Sequence, residues 1–220
     1  MKISIAIDGP AGAGKSTIAK LIGEKYNLMY INTGSMYRAV TLFAMRKSIE
    51  PNQVGDLCEL IDTLKMYFDN DNLFVNDMDV TDELRSIEVT NNVSRYASIL
   101  EVRQKLVEMQ QEIAKNYNVI MDGRDIGTVV LKNATLKIFL TARAEERAKR
   151  RYDELIAKNV KVDYNNILED IKKRDYIDSN REVDPLRKAE DAIDIDTSTM
   201  SISEVVDAIS KYISYINVDK

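Results

Sequence analysis

Three observations predict an α/β fold in which a parallel sheet is flanked by helices. Short β-branched runs alternate along the chain with stretches of helical spacing. Five of the 8 glycines (Gly9, Gly12, Gly14, Gly23 and Gly34) fall just after the first of those runs or shortly beyond it, where special backbone geometry is wanted. A single region, residues about 60–85, breaks the alternation with very short strand-like pieces, which reads as a small antiparallel insert.

Each element has its own signal. Ile3, Ile5 and Ile7 open the chain as a buried strand, too short and without the small-residue cleavage site of a leader. Ile18, Leu21 and Ile22 then switch to helical spacing. Leu28–Ile31 is a second strand and Tyr37–Met45 a second helix. Leu57, Leu60, Ile61 and Leu64 mark another helix, on which Cys58 is expected as a small core residue. Within the insert, Leu64–Phe68, Leu73–Val75 and Met78–Val80 are separated by Asp69–Asn72 and by Asn76-Asp77, a pair suited to a tight hairpin turn. Val102, Leu106, Met109 and Ile113 form one face of a long helix. Strands at Asn118–Met121, Leu136–Leu140 and Ala192–Ile195 follow, with charged helices around Ala148–Leu155 and Ile167–Tyr176. Ser201 and Glu204 make a capping box ahead of a last helix through Val205, Ile209, Ile213 and Ile216.

Composition narrows the chemistry. The 220 residues carry 31 Lys plus Arg against 36 Asp plus Glu, a net charge of −5, which argues against a chain whose main task is coating nucleic acid or an anionic membrane. There is no histidine, so Ser-His-Asp and Cys-His catalysis and every His-ligated metal site are excluded. One cysteine cannot form an internal disulfide, which suits a reducing, cytoplasmic setting. No stretch reaches the roughly 18 apolar residues of a membrane span.

The sharpest motif is Gly9-Pro10-Ala11-Gly12-Ala13-Gly14-Lys15-Ser16-Thr17, a full match to G-x-x-x-x-G-K-[ST] between a strand and a helix. Glycines allow successive N–H groups to point at phosphate oxygens, the helix N-terminus adds unpaired donors, Lys15 adds a point charge, and the Ser16 hydroxyl suits Mg²⁺. This is the phosphate loop of a P-loop NTPase fold. The Asn-Lys-x-Asp of a guanine switch and the Leu-Ser-Gly-Gly of a transport ATPase are both missing from the sequence.

What accompanies the loop is a spread of arginines beside polar turns: Thr33-Gly34-Ser35-Met36-Tyr37-Arg38, Asp79-Val80-Thr81-Asp82 before Leu84-Arg85, Asp122-Gly123-Arg124-Asp125-Ile126-Gly127-Thr128-Val129-Val130, Glu146-Arg147 with Arg150-Arg151, and Arg174-Asp175 with Asn180-Arg181. With these residues the chain resembles the bacterial cytidylate kinases, of the nucleoside monophosphate kinase family, over essentially its whole length. The resemblance implies transfer of the ATP γ-phosphoryl group to CMP or dCMP with Mg²⁺, on a single domain. Its core would comprise residues about 1–38, 116–146 and 185–220, its monophosphate-binding region with the β insert about 39–115, and its lid about 147–184. It also favours a monomer.

The same resemblance distributes roles. Lys15, Arg38, Arg124 and Arg181 are the expected catalytic cations, and Gly9 to Thr17 with Arg147, Arg150 and Arg151 are expected around ATP. Thr33, Tyr37, Arg38, Ser94, Arg103, Arg124, Asp125, Arg174, Asp178 and Arg181 are expected around CMP, with Asp125 and Ser94 on the base and Arg174 and Asp178 on the ribose. Asp122 is expected to hold Mg²⁺ through water beside Ser16, with Asp8 a weaker candidate. Plainer readings stand beside these: a solvated charged face for any single arginine, an i, i+4 ion pair for Arg174 and Asp178, and a helix cap at Ile126 for Asp125. Many bacterial members carry aspartate where Asn32 stands. A kinase acting on UMP or AMP, or a nucleotide switch without an acceptor, are the rival functions.

Overall fold

The computed structural model describes residues 2–217. In chain order the elements are β1 (Ser4–Asp8), α1 (Lys15–Tyr26), β2 (Met29–Asn32), α2 (Thr33–Arg46), α3 (Val54–Asp62), β3 (Met66–Asp69), β4 (Asn72–Val75), β5 (Met78–Asp79), α4 (Ile87–Ala97), α5 (Leu100–Asn116), β6 (Val119–Gly123), β7 (Leu136–Thr141), α6 (Ala144–Ala157), α7 (Tyr164–Asn180), β8 (Ile193–Asp196) and α8 (Ile202–Asn217). A five-stranded, wholly parallel sheet runs β2-β6-β1-β7-β8. A three-stranded antiparallel sheet, β3-β4-β5, forms the insert. The α/β fold with its insert is therefore as the sequence predicts.

Strand alternation divides the interior in two. Ile5, Ile7, Ile120, Ile138 and Leu140 face α1 and α8, where they meet Ile18, Ile22, Val205, Ile209 and Ile213. Ala6, Val119 and Met121 face the other way, onto Met36, Val40, Leu57, Val102 and Leu106 of α2, α3 and α5. Burial on both faces is what a central parallel strand requires. It also leaves the carboxyl ends of β1, β2 and β6 as the place where polar loops converge.

The joint between β1 and the phosphate loop tolerates no side chain. Gly9 has φ 146°, and a Cβ there would lie 2.0 Å from the Leu140 carbonyl oxygen of β7. In the insert, Asn76 and Asp77 both have positive φ (50° and 64°), the backbone of a tight two-residue hairpin turn. Leu73 and Val75 turn inward to the core shared with α2 and α3, while Tyr67 stacks on Phe74 at 5.2 Å. Asp71, at the other turn of the insert, pairs with Lys20 of α1.

Two details differ from expectation. Cys58 is half-buried rather than a core residue, because Leu57, Leu60 and Ile61 take the inward face of α3. Helix α4 was not anticipated: its polar stretch Thr90–Asn92 hides the inward triad Val89, Val93 and Tyr96, although Ser86 caps it by accepting from the Val89 N–H at 3.3 Å. Among the described residues no helix is long and apolar enough to cross a membrane.

Candidate active site

The phosphate loop sits between β1 and α1. Gly12 and Gly14 have φ 76° and 91°, and α1 begins without a side-chain cap, so its first N–H groups stay open toward the loop. Lys15 is buried and its ammonium donates to the Pro10 carbonyl at 2.8 Å. Burial and the nearby Arg124 push its pKa well below the usual lysine range, with Asp122 offsetting part of the effect. Ser16 and Thr17 are exposed at the helix start.

Beside the loop, Ser16 Oγ donates to Asp122 Oδ2 at 2.8 Å. Tyr30 Oη donates to Asp122 Oδ1 at 3.0 Å, and Asn32 Nδ2 donates to Tyr30 Oη at 3.0 Å and to Ser16 Oγ at 3.3 Å. Asn32 also caps α2, accepting from the Ser35 N–H at 2.9 Å. Tyr30 was missed at the level of sequence, where it reads only as part of an apolar strand. Asp8, a weaker metal candidate, is engaged elsewhere: its two oxygens accept from the Ile126 and Gly127 N–H groups at 2.8 and 2.7 Å. Both of its oxygens are thus taken up by backbone donors, a role the sequence did not signal. Burial lifts its carboxyl to about 6 despite those two donors.

The second half of the site is a cleft between α2, α4, the end of β6 and α7. Thr33, Tyr37, Ser94, Arg103, Arg124, Asp125, Arg174, Asp178 and Arg181 all line it, nine of the ten residues expected around CMP. The remaining one, Arg38, donates to the Leu84 carbonyl at 3.0 Å and to Thr90 Oγ1 at 2.8 Å. Thr33 Oγ1 donates to the Asp122 carbonyl at 2.8 Å, tying the start of α2 to β6.

Two ion-pair groups organise the cleft. Asp125 is buried and bonded to Arg103, and lies 3.4 Å from Arg181; Arg103 also donates to Asp184 at 2.9 Å and to the Ala97 carbonyl at 3.2 Å. The Arg103 guanidinium lies over the Tyr37 ring, 5.4 Å from its centroid. Asp184 was not foreseen; it lies in the loop after α7, with no periodic signal to mark it. The second group is Arg124 on Asp178 at 2.7 Å, with Arg174 4.0 Å from the same oxygen. The Arg174–Asp178 pair is thus subordinate to Arg124, a partner 54 residues away in sequence.

Cations outnumber their partners here. Burial lowers Arg38 to about 9 and Arg174 to about 10; Arg174 and Arg124 add to the first shift, Arg124 to the second. Both remain protonated at neutral pH. The Arg174 Nε–H is buried and, among the described residues, has no acceptor. A cleft of this kind is complementary to a polyanion.

Of the three arginines expected to reach ATP from the lid, Arg147 is buried beside the phosphate loop. It donates to the Ala11 carbonyl at 2.9 Å and to the Ala142 carbonyl at 2.8 Å, and it grips Asp175 of α7 with two bonds of 3.0 and 2.6 Å. Arg150 holds Thr197, donating to Oγ1 at 3.2 Å and to the carbonyl at 2.5 Å. Arg151 pairs with Glu154 at 2.8 Å along its own helix.

Comparison with known proteins gives the family. The family model described as cytidylate kinase matches residues 5–215. The chain is 64% identical over 214 residues to a cytidylate kinase of Clostridium acetobutylicum, covering 97% of this chain and 99% of that protein. It is 60% identical over 213 residues to a cytidylate kinase of Clostridium tetani, covering 97% and 94%. A solved structure of an uncharacterized protein from Eubacterium ventriosum shares the fold, with a TM-score of 0.54 at 17% identity over 98% of this chain and 99% of that one. A phosphate loop facing an arginine-lined cleft, and a family match that runs from β1 to α8, lead to one conclusion: this chain belongs to the cytidylate kinase family.

Proposed function

We propose that this chain transfers the γ-phosphoryl group of ATP to CMP or dCMP, giving ADP and CDP or dCDP. The observation that carries this reading is the surplus of half-buried cations. Arg124 and Arg174 lie near Lys15 and share Asp178 as their close carboxylate, Arg38 adds a further cation near both arginines, and among the described residues Arg174 Nε has no acceptor. Two polyanions meeting there would supply the missing acceptors. The nucleophile is a phosphate oxygen that is already ionised, since the second phosphate pKa is about 6. No general base is required, which suits a chain with no histidine.

Lys15 bridges the β- and γ-phosphates in this reading, exchanging its bond to the Pro10 carbonyl for phosphate oxygens. Arg38, Arg124 and Arg181 hold the acceptor phosphate and the group in transfer, so that catalysis is positioning plus charge neutralisation. Asp125 accepts from the cytosine exocyclic amine, with Ser94 across the cleft. A uracil oxygen at that position would face a carboxylate instead. Arg174 and Asp178 reach the ribose, Arg103 braces Asp125, and Thr33 and Tyr37 wall the pocket. The α6–α7 hairpin acts as the lid, excluding water when it closes over the triphosphate. Arg147 already lies against the phosphate loop, while Arg150 and Arg151 would have to exchange their partners to take part.

The donors around Ser16 fit a magnesium ion: a hydroxyl with its proton committed to Asp122, and the Asp122 carboxylate itself, are hard oxygen groups. Among the described residues no group of three or more carboxylate or thiol side chains is arranged to hold a metal, so phosphate oxygens and water would complete its shell. Bound there, the ion would neutralise charge on the β- and γ-phosphates. We infer a cytoplasmic monomer. A coupled ADP-release assay over CMP, dCMP, UMP, AMP, GMP and dTMP tests the whole reading. Turnover concentrated on CMP and dCMP is expected; strong turnover with AMP and none with CMP would overturn it. ADP release that ignores the acceptor would point to a switch.

A further inference from the structure

We propose that Asp8 is a positioning residue for the acceptor base: it caps the turn after Asp125 so that Asp125 need not, and thereby frees that carboxylate to face the cleft. Residues Ile126–Val130 form a short, wide helical turn whose carbonyl acceptors begin with Asp125 and Ile126, at 2.9 Å to the Val129 N–H and 2.6 Å to the Leu131 N–H. Its first two N–H groups, on Ile126 and Gly127, need an acceptor. Asp125 stands at the cap position, where aspartate is favoured, yet its side chain makes no capping bond. It is turned instead toward Arg103 and Arg181. The cap comes from 118 residues away: Asp8 Oδ1 accepts from Ile126 and Oδ2 from Gly127, at 2.8 and 2.7 Å.

The chemistry demands a carboxylate. Two adjacent donors need two acceptor atoms on one short side chain, and an asparagine would set an NH₂ against an N–H. The surroundings fix the clamp. Asp8 is buried at the end of β1, and the next residue, Gly9, is pressed onto the Leu140 carbonyl. The turn lies close against the clamp: the position of a Cβ on Gly127 is 3.4 Å from Asp8 Oδ2, at van der Waals contact, and 3.1 Å from the Lys137 side chain. The same short β1-to-loop junction that shapes the donor site therefore sets the position of the base-reading group in the acceptor site.

This inference rests on the CMP reading of the cleft, and its test separates the two. Asp8→Asn is expected to raise KM for CMP about tenfold, to leave KM for ATP within about twofold, and to narrow the preference for CMP over UMP. In an Asp125→Asn background the same substitution should add nothing further to KM for CMP, because both changes act through one group. Equal rises in both KM values, or fully additive effects in the double variant, would overturn the proposal and leave Asp8 a purely structural residue. Should Asp8→Asn fail to fold, Asp8→Ser leaves a single acceptor atom for the two N–H groups and takes the same measurements. A crystal structure of either variant gives a readout independent of turnover. Asp125 rotated back onto the N–H groups of its own turn supports the clamp; Asp125 still bonded to Arg103 rejects it. A wild-type enzyme that ignores CMP would refute the reaction, and the crystal structures would still decide the clamp.

Discussion

The phosphate loop and the arginine-lined cleft are built by opposite strategies. The loop is contiguous: residues 9–17 create it from backbone geometry, with positive φ at Gly9, Gly12 and Gly14, and Lys15 as its charged side chain. The cleft is assembled from α2, α4, α5, the end of β6 and α7, and its shape is held by ion pairs such as Arg103 with Asp125 and Arg124 with Asp178. A backbone device is read by any triphosphate, because it offers N–H groups and a dipole. A side-chain device can be read by one base, because a carboxylate in a fixed place distinguishes an amine from a carbonyl. In the function proposed above, generality and selectivity would then occupy adjacent halves of the site through different parts of the chain's chemistry.

The contrast can be broken at either half. Gly9→Ala should have the largest effect, since its Cβ would sit 2.0 Å from the Leu140 carbonyl and nothing flexible lies between them. Loss of soluble folded protein, or a stability loss of roughly 3 kcal/mol or more, should appear in denaturant melts. Lys15→Ala should leave the fold intact by circular dichroism and lower kcat by roughly 10²–10³-fold, with every acceptor affected alike. On the other half, Asp125→Ala should cut kcat/KM for CMP far more than it affects ATP binding. It should also cost about 3 kcal/mol, because the nearly inaccessible Arg103 guanidinium keeps only Asp184 as a carboxylate partner. Equal losses for both nucleotides would make Asp125 structural.

A smaller effect sharpens the link between the halves. Burial holds the Asp8 carboxyl at about 6, above the ordinary 3.8 of an unfolded aspartate. Its protonated form is thus favoured by folding, and that contribution to stability is fully present below about pH 3.8 and lost as pH rises through 6. Urea melts of wild type and Asp8→Asn across pH 4–7 should show the wild-type advantage shrinking with rising pH; a gap that grows would contradict the burial argument. At the small end, Ser201→Ala removes half of the capping box of α8, remote from both halves, and should cost about 1 kcal/mol with unchanged KM values.

Legibility followed the same divide. The phosphate loop, the parallel strands and the Asn76-Asp77 hairpin were readable because each depends on neighbours in sequence. Asp125 illustrates the limit. Locally it is a helix cap, and the turn at Ile126 does exist, but the cap is supplied by Asp8 and the side chain is spoken for by Arg103. Arg150 was legible as a residue of a charged helix and not as a clasp on Thr197, because nothing in the local pattern records a partner 47 residues away. Tyr30 and Asp184 had no local signal at all; their meaning lies in Asp122 and Arg103.

By itself the sequence determined the α/β fold, the phosphate loop and the family, because hydrophobic period, glycine placement and short motifs act over a few residues and carry their physics with them. Only the tertiary structure decided which carboxylate meets which guanidinium, that Asp8 accepts from a backbone turn, and that Arg174 keeps, among the described residues, an unsatisfied donor inside the cleft. The physical reason is desolvation. Once the chain packs, each buried charge must find a partner within hydrogen-bond reach, and that partner is chosen by the sheet order β2-β6-β1-β7-β8 and not by proximity along the chain.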